Sequence, residues 1–221
     1  MNETTTAIVP IKEHSERVPR KNFRDFNGKP LYHWILETLE ATDVVDDVVV
    51  NTDADQVIDS ASEQFDVTIS ERPPDLCGDF VSMNDIIAYE VARRDADVYV
   101  QTHCTNPLLE PDTISEAVRT FVDHDESDSL FTVTRHQKML YDEDLNPINH
   151  DPDNLIRTQD LPPVYEENSN LYVFVERTIE TVGRRVGDDP EIHEMDEIES
   201  IDIDTPTDFE MAEYFHAKRR D

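Results

Sequence analysis

The apolar residues fall into short runs separated by amphipathic stretches. Ala7–Ile11 is a short apolar run and predicts a buried strand; a polar, basic loop follows to Lys29. Pro30 then opens a helix whose one face is Leu31, Trp34, Ile35 and Leu39. Val48–Val50 predicts a second strand ending in Asn51-Thr52-Asp53, Ala54–Gln64 a helix, and Val67–Ile69 a third strand. Ser82 and Asp85 form a capping box for a helix running to about Arg94, and Val98–Gln101 reads as a fourth strand. Pro111 begins a helix with Ile114, Ala117, Val118, Phe121 and Val122 on one face, and Leu130–Val133 follows as a fifth strand. The rhythm breaks over Arg135–Tyr165, where Asp, Asn and Pro dominate; this stretch reads as a lid, a dimerisation arm or a surface excursion. Leu171–Val175 and a short Ile201–Ile203 complete the strands. Thr205-Pro206-Thr207-Asp208 opens the last helix.

Strands alternating with helices predict an α/β fold: one domain over 1–221, a mainly parallel sheet and helices on both faces. Ligands of such folds bind beyond the carboxyl ends of the strands. The segments of interest are then Lys12 onward, Thr52-Asp53, and His103 to Asn106.

Charge sharpens this choice. The chain of 221 residues holds 51 Asp+Glu against 19 Lys+Arg, a net charge of −32. The acidic residues are spread through the patterned segments, and lysine occurs only at 12, 21, 29, 138 and 218. A folded, uniformly acidic, lysine-poor chain reads as adapted to high salt, where screening removes self-repulsion. Nucleic acid is excluded as a partner on the same grounds. Against this background Lys12, Arg17, Arg20, Lys21, Arg24 and Lys29 crowd into one segment of charge about +3. Such an island suits a polyanion such as a nucleoside triphosphate. Cys77 and Cys104 lack metal or disulfide spacing and read as ordinary thiols. The polar N-terminus and the lack of a membrane-length apolar run predict a cytoplasmic protein with no membrane partner.

The motifs carry a resemblance. Ile8-Val9-Pro10-Ile11-Lys12 through Asn22 keeps Ser15, Pro19, Lys21 and Asn22 at the spacing of the first motif of nucleotidyltransferases that activate sugars. Asn27-Gly28-Lys29-Pro30-Leu31, Val50-Asn51-Thr52-Asp53, Arg72-Pro73 with Leu76 and Asp79, Thr105-Asn106-Pro107-Leu108, Asn168 through Tyr172, and Ser200-Ile201-Asp202-Ile203-Asp204 with Asp208-Phe209 follow in order. Together they resemble the CMP-acylneuraminate synthetase family, along nearly the whole chain. The resemblance implies a Rossmann-like nucleotidyltransferase fold with a protruding arm at 135–165, and a homodimer. It also implies attack of the anomeric hydroxyl of a 2-keto sugar acid on the α-phosphate of CTP, with Mg²⁺ present.

The site residues follow residue by residue. Lys12, Lys21 and Arg17 are expected to neutralise the triphosphate, with Ser15 cradling it and Asn22 donating to a phosphate or ribose oxygen. Lys12, Lys21 and Asp204 are the expected catalytic residues. Arg72 and Ser82 match nucleotide contacts, although Ser82 serves equally as a helix N-cap. Asp202 and Asp204 alternate, which on a strand turns both carboxylates to one side for Mg²⁺. Asp53 is either an N-cap or a ligand contact. His103, Arg157, Gln159 and Asn168 are expected on the sugar side, with Glu166 nearby. The chain departs from the family pattern at Lys12 (usually arginine), at Glu13 and His14 (usually small) and at His103 (usually glutamine). These changes leave open a sialic, legionaminic or pseudaminic-type acid, a 3-deoxy-octulosonate or sugar 1-phosphate, and a non-catalytic nucleotide-binding role.

Overall fold

The structure, a computed structural model, describes residues 3–124 and 126–220. The first strand, β1 (Thr5–Ile11), is buried along its whole length. A small hairpin of β2 (Asp25–Phe26) and β3 (Lys29–Pro30) leads into α1 (Leu31–Glu40). The chain continues through β4 (Asp47–Thr52), α2 (Asp55–Gln64), β5 (Thr68–Glu71), α3 (Met83–Val91), β6 (Val98–Thr102) and α4 (Pro111–Asp123). It closes with β7 (Ser129–His136), β8 (Val164–Phe174), α5 (Glu176–Val182), β9 (Pro190–Met195) and α6 (Pro206–Arg220).

One seven-stranded sheet in the order β5-β4-β1-β6-β8-β7-β9 organises the molecule. Only β8 runs against the rest, antiparallel to both β6 and β7. The remaining pairings are parallel. Period-two alternation sends residues of one strand to opposite layers. Ala7, Val9 and Ile11 pack with Leu36 of α1, Val57 of α2 and Ile114 of α4. Ile8, Tyr99, Tyr172 and Phe174 pack with Ile87 of α3 and Ile179 of α5 on the other face. Helices on both faces explain why the central strands read as continuous apolar runs. A satellite cluster of Phe26, Leu31, Trp34, Leu108, Ile203 and Phe209 seats α6 beside the start of α1.

The predicted strand at Ile201–Ile203 is not one. Its alternation reflects a segment fastened by Ile203 N to Thr105 O at 3.0 Å and by Ile201 N to Ile198 O in a local turn, with Ile203 anchored in the satellite cluster. Conversely, β9 was not foreseen. It lies at the sheet edge, and its Pro-Glu-Ile-His-Glu-Met sequence leaves most side chains partly or fully exposed.

Residues 137–163 join the paired ends of β7 and β8. Internal bonds shape this arm: Asn149 donates to the carbonyls of Lys138 and Pro162, and Asp142 N donates to Asn146 O. Even so, Tyr141, Leu145, Ile148 and Leu155 stay exposed, Leu145 at 78%.

His216 of α6 is buried against Trp34, with ring centroids 4.0 Å apart, and Asn27 Nδ2 approaches its Nδ1 at 3.1 Å. Burial, then the charges of Arg220, Lys29 and Arg219, push its pKa down from 6.5 to about 4, with Glu37 opposing. The unfolded chain therefore takes up a proton near pH 6.5 that native His216 refuses until about pH 4. This contribution to stability is whole above pH 6.5 and is lost as pH falls toward 4. Urea denaturation at pH 7 and pH 5 should show His216→Gln losing about 1–2 kcal/mol less than the wild type; equal losses would contradict the assignment.

Candidate active site

The first loop leaves β1 at its carboxyl end and turns back sharply. Arg20 adopts φ 55°, and Lys21–Phe23 forms one 3-10 turn. Asn22 is buried and its Nδ2 donates to Lys12 O at 2.8 Å, closing the loop on itself. One amide hydrogen of Asn22 is thus committed, while its Oδ1 is buried without a partner. Asp53 ties the loop to β4, its Oδ1 accepting from Glu13 N at 2.9 Å. It does not cap α2, whose N-cap is Ala54.

This loop walls a cavity of about 350 Å³ whose lining includes Lys12, Ser15, Arg17, Lys21, Asn22, His103, Asp202 and Asp204. The predicted phosphate-binding set is thereby brought together with the two carboxylates. A neighbouring cavity of about 520 Å³ holds Asn168, Glu166, His136 and Lys138, and shares Ser169, Asp202 and Asp204 with the first. The two form adjoining compartments divided by the carboxylates.

Within the first compartment the cations lie on acids. Arg17 grips Asp204 with both guanidinium nitrogens, at 2.9 and 2.5 Å. Lys21 Nζ, largely buried, lies 3.7 Å from Asp204 Oδ1 and donates to Ile203 O. Lys12 Nζ meets Asp79 Oδ1 at 3.2 Å. Exposed pairs like Lys12–Asp79 and Arg17–Asp204 are weak and exchangeable. The other half of the cationic island does different work. Arg24 and Lys29 lie over Phe209 and Trp34, and Lys29 pairs with Glu37. Arg20 reaches Gln56, at 3.5 Å.

Asp202 and Asp204 converge without a strand. Asp202 Oδ1 accepts from Asn106 Nδ2 at 3.4 Å. Burial pushes the Asp202 carboxyl up; the Thr105 hydrogen bond opposes this and the charge of Asp204 adds to it. Among the described residues no group of three or more His, Cys, Asp or Glu converges. Two carboxylates alone suit an ion that retains waters and takes phosphate oxygens, as Mg²⁺ does. Cys104 lies beside them, but burial pushes its thiol up to about 12, so it is no nucleophile.

Arg72 does not line the cavity. It is buried, with Nε donating to Asn51 Oδ1 at 2.6 Å and Nη2 to Asn51 O at 3.1 Å. Asn51 Nδ2 and Ser70 Oγ in turn donate to Glu90 Oε1, and Arg94 pairs with Glu90 Oε2. Burial lowers the pKa of Arg72, with Asp53, Cys77 and Glu90 opposing. Ser82 caps α3, its Oγ accepting from Asn84 N at 3.2 Å. Asn168 accepts from Thr132 Oγ1 at 2.7 Å and donates to Thr134 Oγ1 at 3.2 Å, beside the irregularity in β7 between Phe131 and Val133. Arg157 is exposed on the arm and paired with Asp160 at 2.6 and 3.0 Å; Gln159 O accepts from Gln137. Neither lines either compartment.

Arg185 escaped the sequence reading. It follows α5, and its Cζ sits 3.7 Å from the centroid of the buried Tyr172 ring. Its Nη1 donates to Gln101 Oε1 at 2.7 Å, one residue pair away from His103. Nothing in the local pattern distinguishes it from Arg184, which pairs with Asp188 at the surface.

An α/β sheet with a basic loop at the carboxyl end of its first strand, facing paired carboxylates, defines a nucleotidyltransferase-type site. The cytidylyltransferase family profile matches residues 6–220, and the chain belongs to that family. It is 30% identical over 216 residues to the N-acylneuraminate cytidylyltransferase of Oncorhynchus mykiss, covering 94% of this chain and 49% of that protein. It is 28% identical over 176 residues to the pseudaminic acid cytidylyltransferase of Campylobacter jejuni, covering 75% of each. The chain thus spans about half the length of the first of these relatives. The fold resembles a solved CMP:2-keto-3-deoxy-manno-octonic acid synthetase complexed with CTP, at TM-score 0.72 and 13% identity, covering 98% and 99% of the two chains. No helix among the described residues is long and apolar enough to cross a membrane.

Glu90 is fully buried and holds Asn51, Ser70 and Arg94. Glu90→Ala should cost about 3–5 kcal/mol in urea denaturation, because buried partners lose their counter-charge; a loss under about 1 kcal/mol would show the network to be dispensable.

Proposed function

We propose that the protein transfers CMP from CTP to the anomeric hydroxyl of a nonulosonic acid of the sialic, legionaminic or pseudaminic type. The anomeric oxygen bonds to the α-phosphorus and pyrophosphate leaves. The observation that carries this reading is the pair of adjoining compartments. One is cationic and sized for part of a nucleotide, the other polar, and Asp202 and Asp204 stand at their junction. Relatives that bear the names of acylneuraminate and pseudaminic acid cytidylyltransferases support the choice of sugar class.

Transfer of this kind depends on positioning and charge neutralisation more than on covalent help. In the reading proposed here the triphosphate displaces Asp204 from Arg17 and Asp79 from Lys12, and takes those cations itself. Lys21 neutralises the phosphates from within the loop, and Ser15 contributes a hydroxyl. Asn22 offers its second amide hydrogen to a phosphate or ribose oxygen. Arg72 acts through Asn51 and the end of β4 to shape the nucleotide wall. Freed from Arg17, Asp204 joins Asp202 as the site that would hold Mg²⁺. When bound, the ion would supply charge neutralisation between the phosphates. On the sugar side stands Asn168 of the second compartment; His103, expected beside it, lines the first.

The reaction consumes CTP, and we place it in the cytoplasm. The exposed apolar residues of the arm are proposed to meet a second copy of the chain, which would bring Arg157 and Gln159 of one protomer toward the sugar compartment of the other. The acidic surface is proposed to serve a salt-rich interior.

The direct test is pyrophosphate release in high salt with Mg²⁺, crossing the four nucleoside triphosphates with nonulosonic acids, 3-deoxy-octulosonate and sugar 1-phosphates. Release should require CTP and a nonulosonic acid; release with octulosonate or a sugar 1-phosphate alone would overturn the substrate class, and silence from folded protein would overturn the enzyme reading. Lys21→Ala and Asp204→Ala should each lower turnover by about 10²-fold or more, with circular dichroism unchanged; wild-type rates would remove that residue from the mechanism. Light scattering and circular dichroism followed against salt should show a folded dimer that loses structure in dilute buffer. A monomer would refute the arm's proposed role, and full structure in dilute buffer would refute the salt adaptation.

A further inference from the structure

Gln101 lies at the end of β6 with its amide in a fixed environment. Arg185 Nη1 donates to its Oε1 at 2.7 Å, and its Nε2 lies 3.1 Å from Thr102 O and 2.9 Å from His103 Nε2. A guanidinium has donors only. Reversing the amide would set an NH₂ group against Arg185 and an oxygen against the Thr102 carbonyl, so the orientation is determined by its neighbours. Both hydrogens of Nε2 are then assigned, one to Thr102 O and one to His103. An amide nitrogen donates and does not accept, so His103 Nε2 must present its lone pair. The proton of the neutral imidazole is left on Nδ1.

Arg185 is itself held. Its guanidinium lies on the face of Tyr172, and its backbone N–H donates to Asn84 Oδ1 at 3.3 Å. Tyr172 is fully buried, with its hydroxyl donating to Glu167 Oε1 at 2.5 Å. Burial and the nearby Arg185 and Lys21 hold the His103 pKa down to about 3, so the ring stays uncharged at working pH. His103 lines the first cavity, and Gln101 is its one side-chain hydrogen-bond partner among the described residues.

We infer that Arg185 and Gln101 are positioning residues that fix His103 as a hydrogen-bond donor through Nδ1, so that the substrate atom it meets in the first compartment is an accepting oxygen. This inference rests on the function proposed above. An incoming ammonium or amide N–H at that point would meet another donor beside two cations, and is rejected.

The test is the tautomer of His103, read from two-bond proton–nitrogen correlations of histidine-labelled protein in high salt, together with separate KM values for CTP and the sugar acid. The wild type should show the Nδ1–H form from pH 5.5 to 8. Gln101→Glu replaces the donor with an acceptor, and should move the proton onto Nε2 and raise the KM of CTP or of the sugar acid at least tenfold. Arg185→Met should give mixed tautomers, and Arg185→Lys should restore the Nδ1–H form. An Nε2–H ring in the wild type would overturn the relay whatever the turnover. A shifted tautomer in Gln101→Glu with both KM values unchanged would overturn the role in substrate recognition. Absence of turnover with any sugar acid, in wild-type protein that shows the Nδ1–H form, would overturn the proposed function and leave the relay standing.

Discussion

The contact between Asp204 and the basic loop is the constraint on which the site depends. It joins residues 187 positions apart, Arg17 and Asp204, both of which line the cavity. The basic loop carries several cations in a small volume, and the C-terminal segment brings two carboxylates into the same space. Each set neutralises the other. The same electrostatics define the ligand: whatever separates them must offer negative charge to the loop and leave the carboxylates facing positive charge. A nucleoside triphosphate with a divalent cation satisfies both demands at once.

The fold supplies the placement. Strand β1 is buried on both faces, so its carboxyl end is a rigid platform, and the loop springs from it already closed by Asn22 and Asp53. The carboxylates come from the opposite end of the chain, delivered by Ile203 in the satellite core and by α6 behind it. Where β4 meets β5 and α3, Glu90, Asn51 and Arg72 form a buried polar network. Such a network is stable only when every partner is present, and it supports a single geometry.

Much of this was legible in the sequence, for physical reasons. Central strands covered on both sides must be continuously apolar, and β1, β4, β6 and the last part of β8 stood out accordingly. The first-loop residues stood out because a basic cluster in so acidic a chain has no surface rationale. Legibility failed where local pattern and tertiary role diverge. Ile201–Ile203 alternates like a strand, yet its isoleucine is buried by helices and a loop. Strand β9 sits at an edge, and its half-polar sequence looks like a loop. Arg24 and Lys29 were counted with the site but lie on aromatic rings near α6. Arg72 was expected at the nucleotide, and is buried against Asn51 without lining the cavity. Arg185 had no local signal at all, because its role comes from Tyr172 and Gln101, both distant in sequence.

The most direct measurement is a crystal structure grown in high salt with CTP and Mg²⁺. The account predicts the triphosphate on Lys12, Arg17 and Lys21, Arg17 parted from Asp204, and the metal between the phosphates and the Asp202–Asp204 pair. A nucleotide bound elsewhere, or bound with the Arg17–Asp204 pair intact, would contradict it.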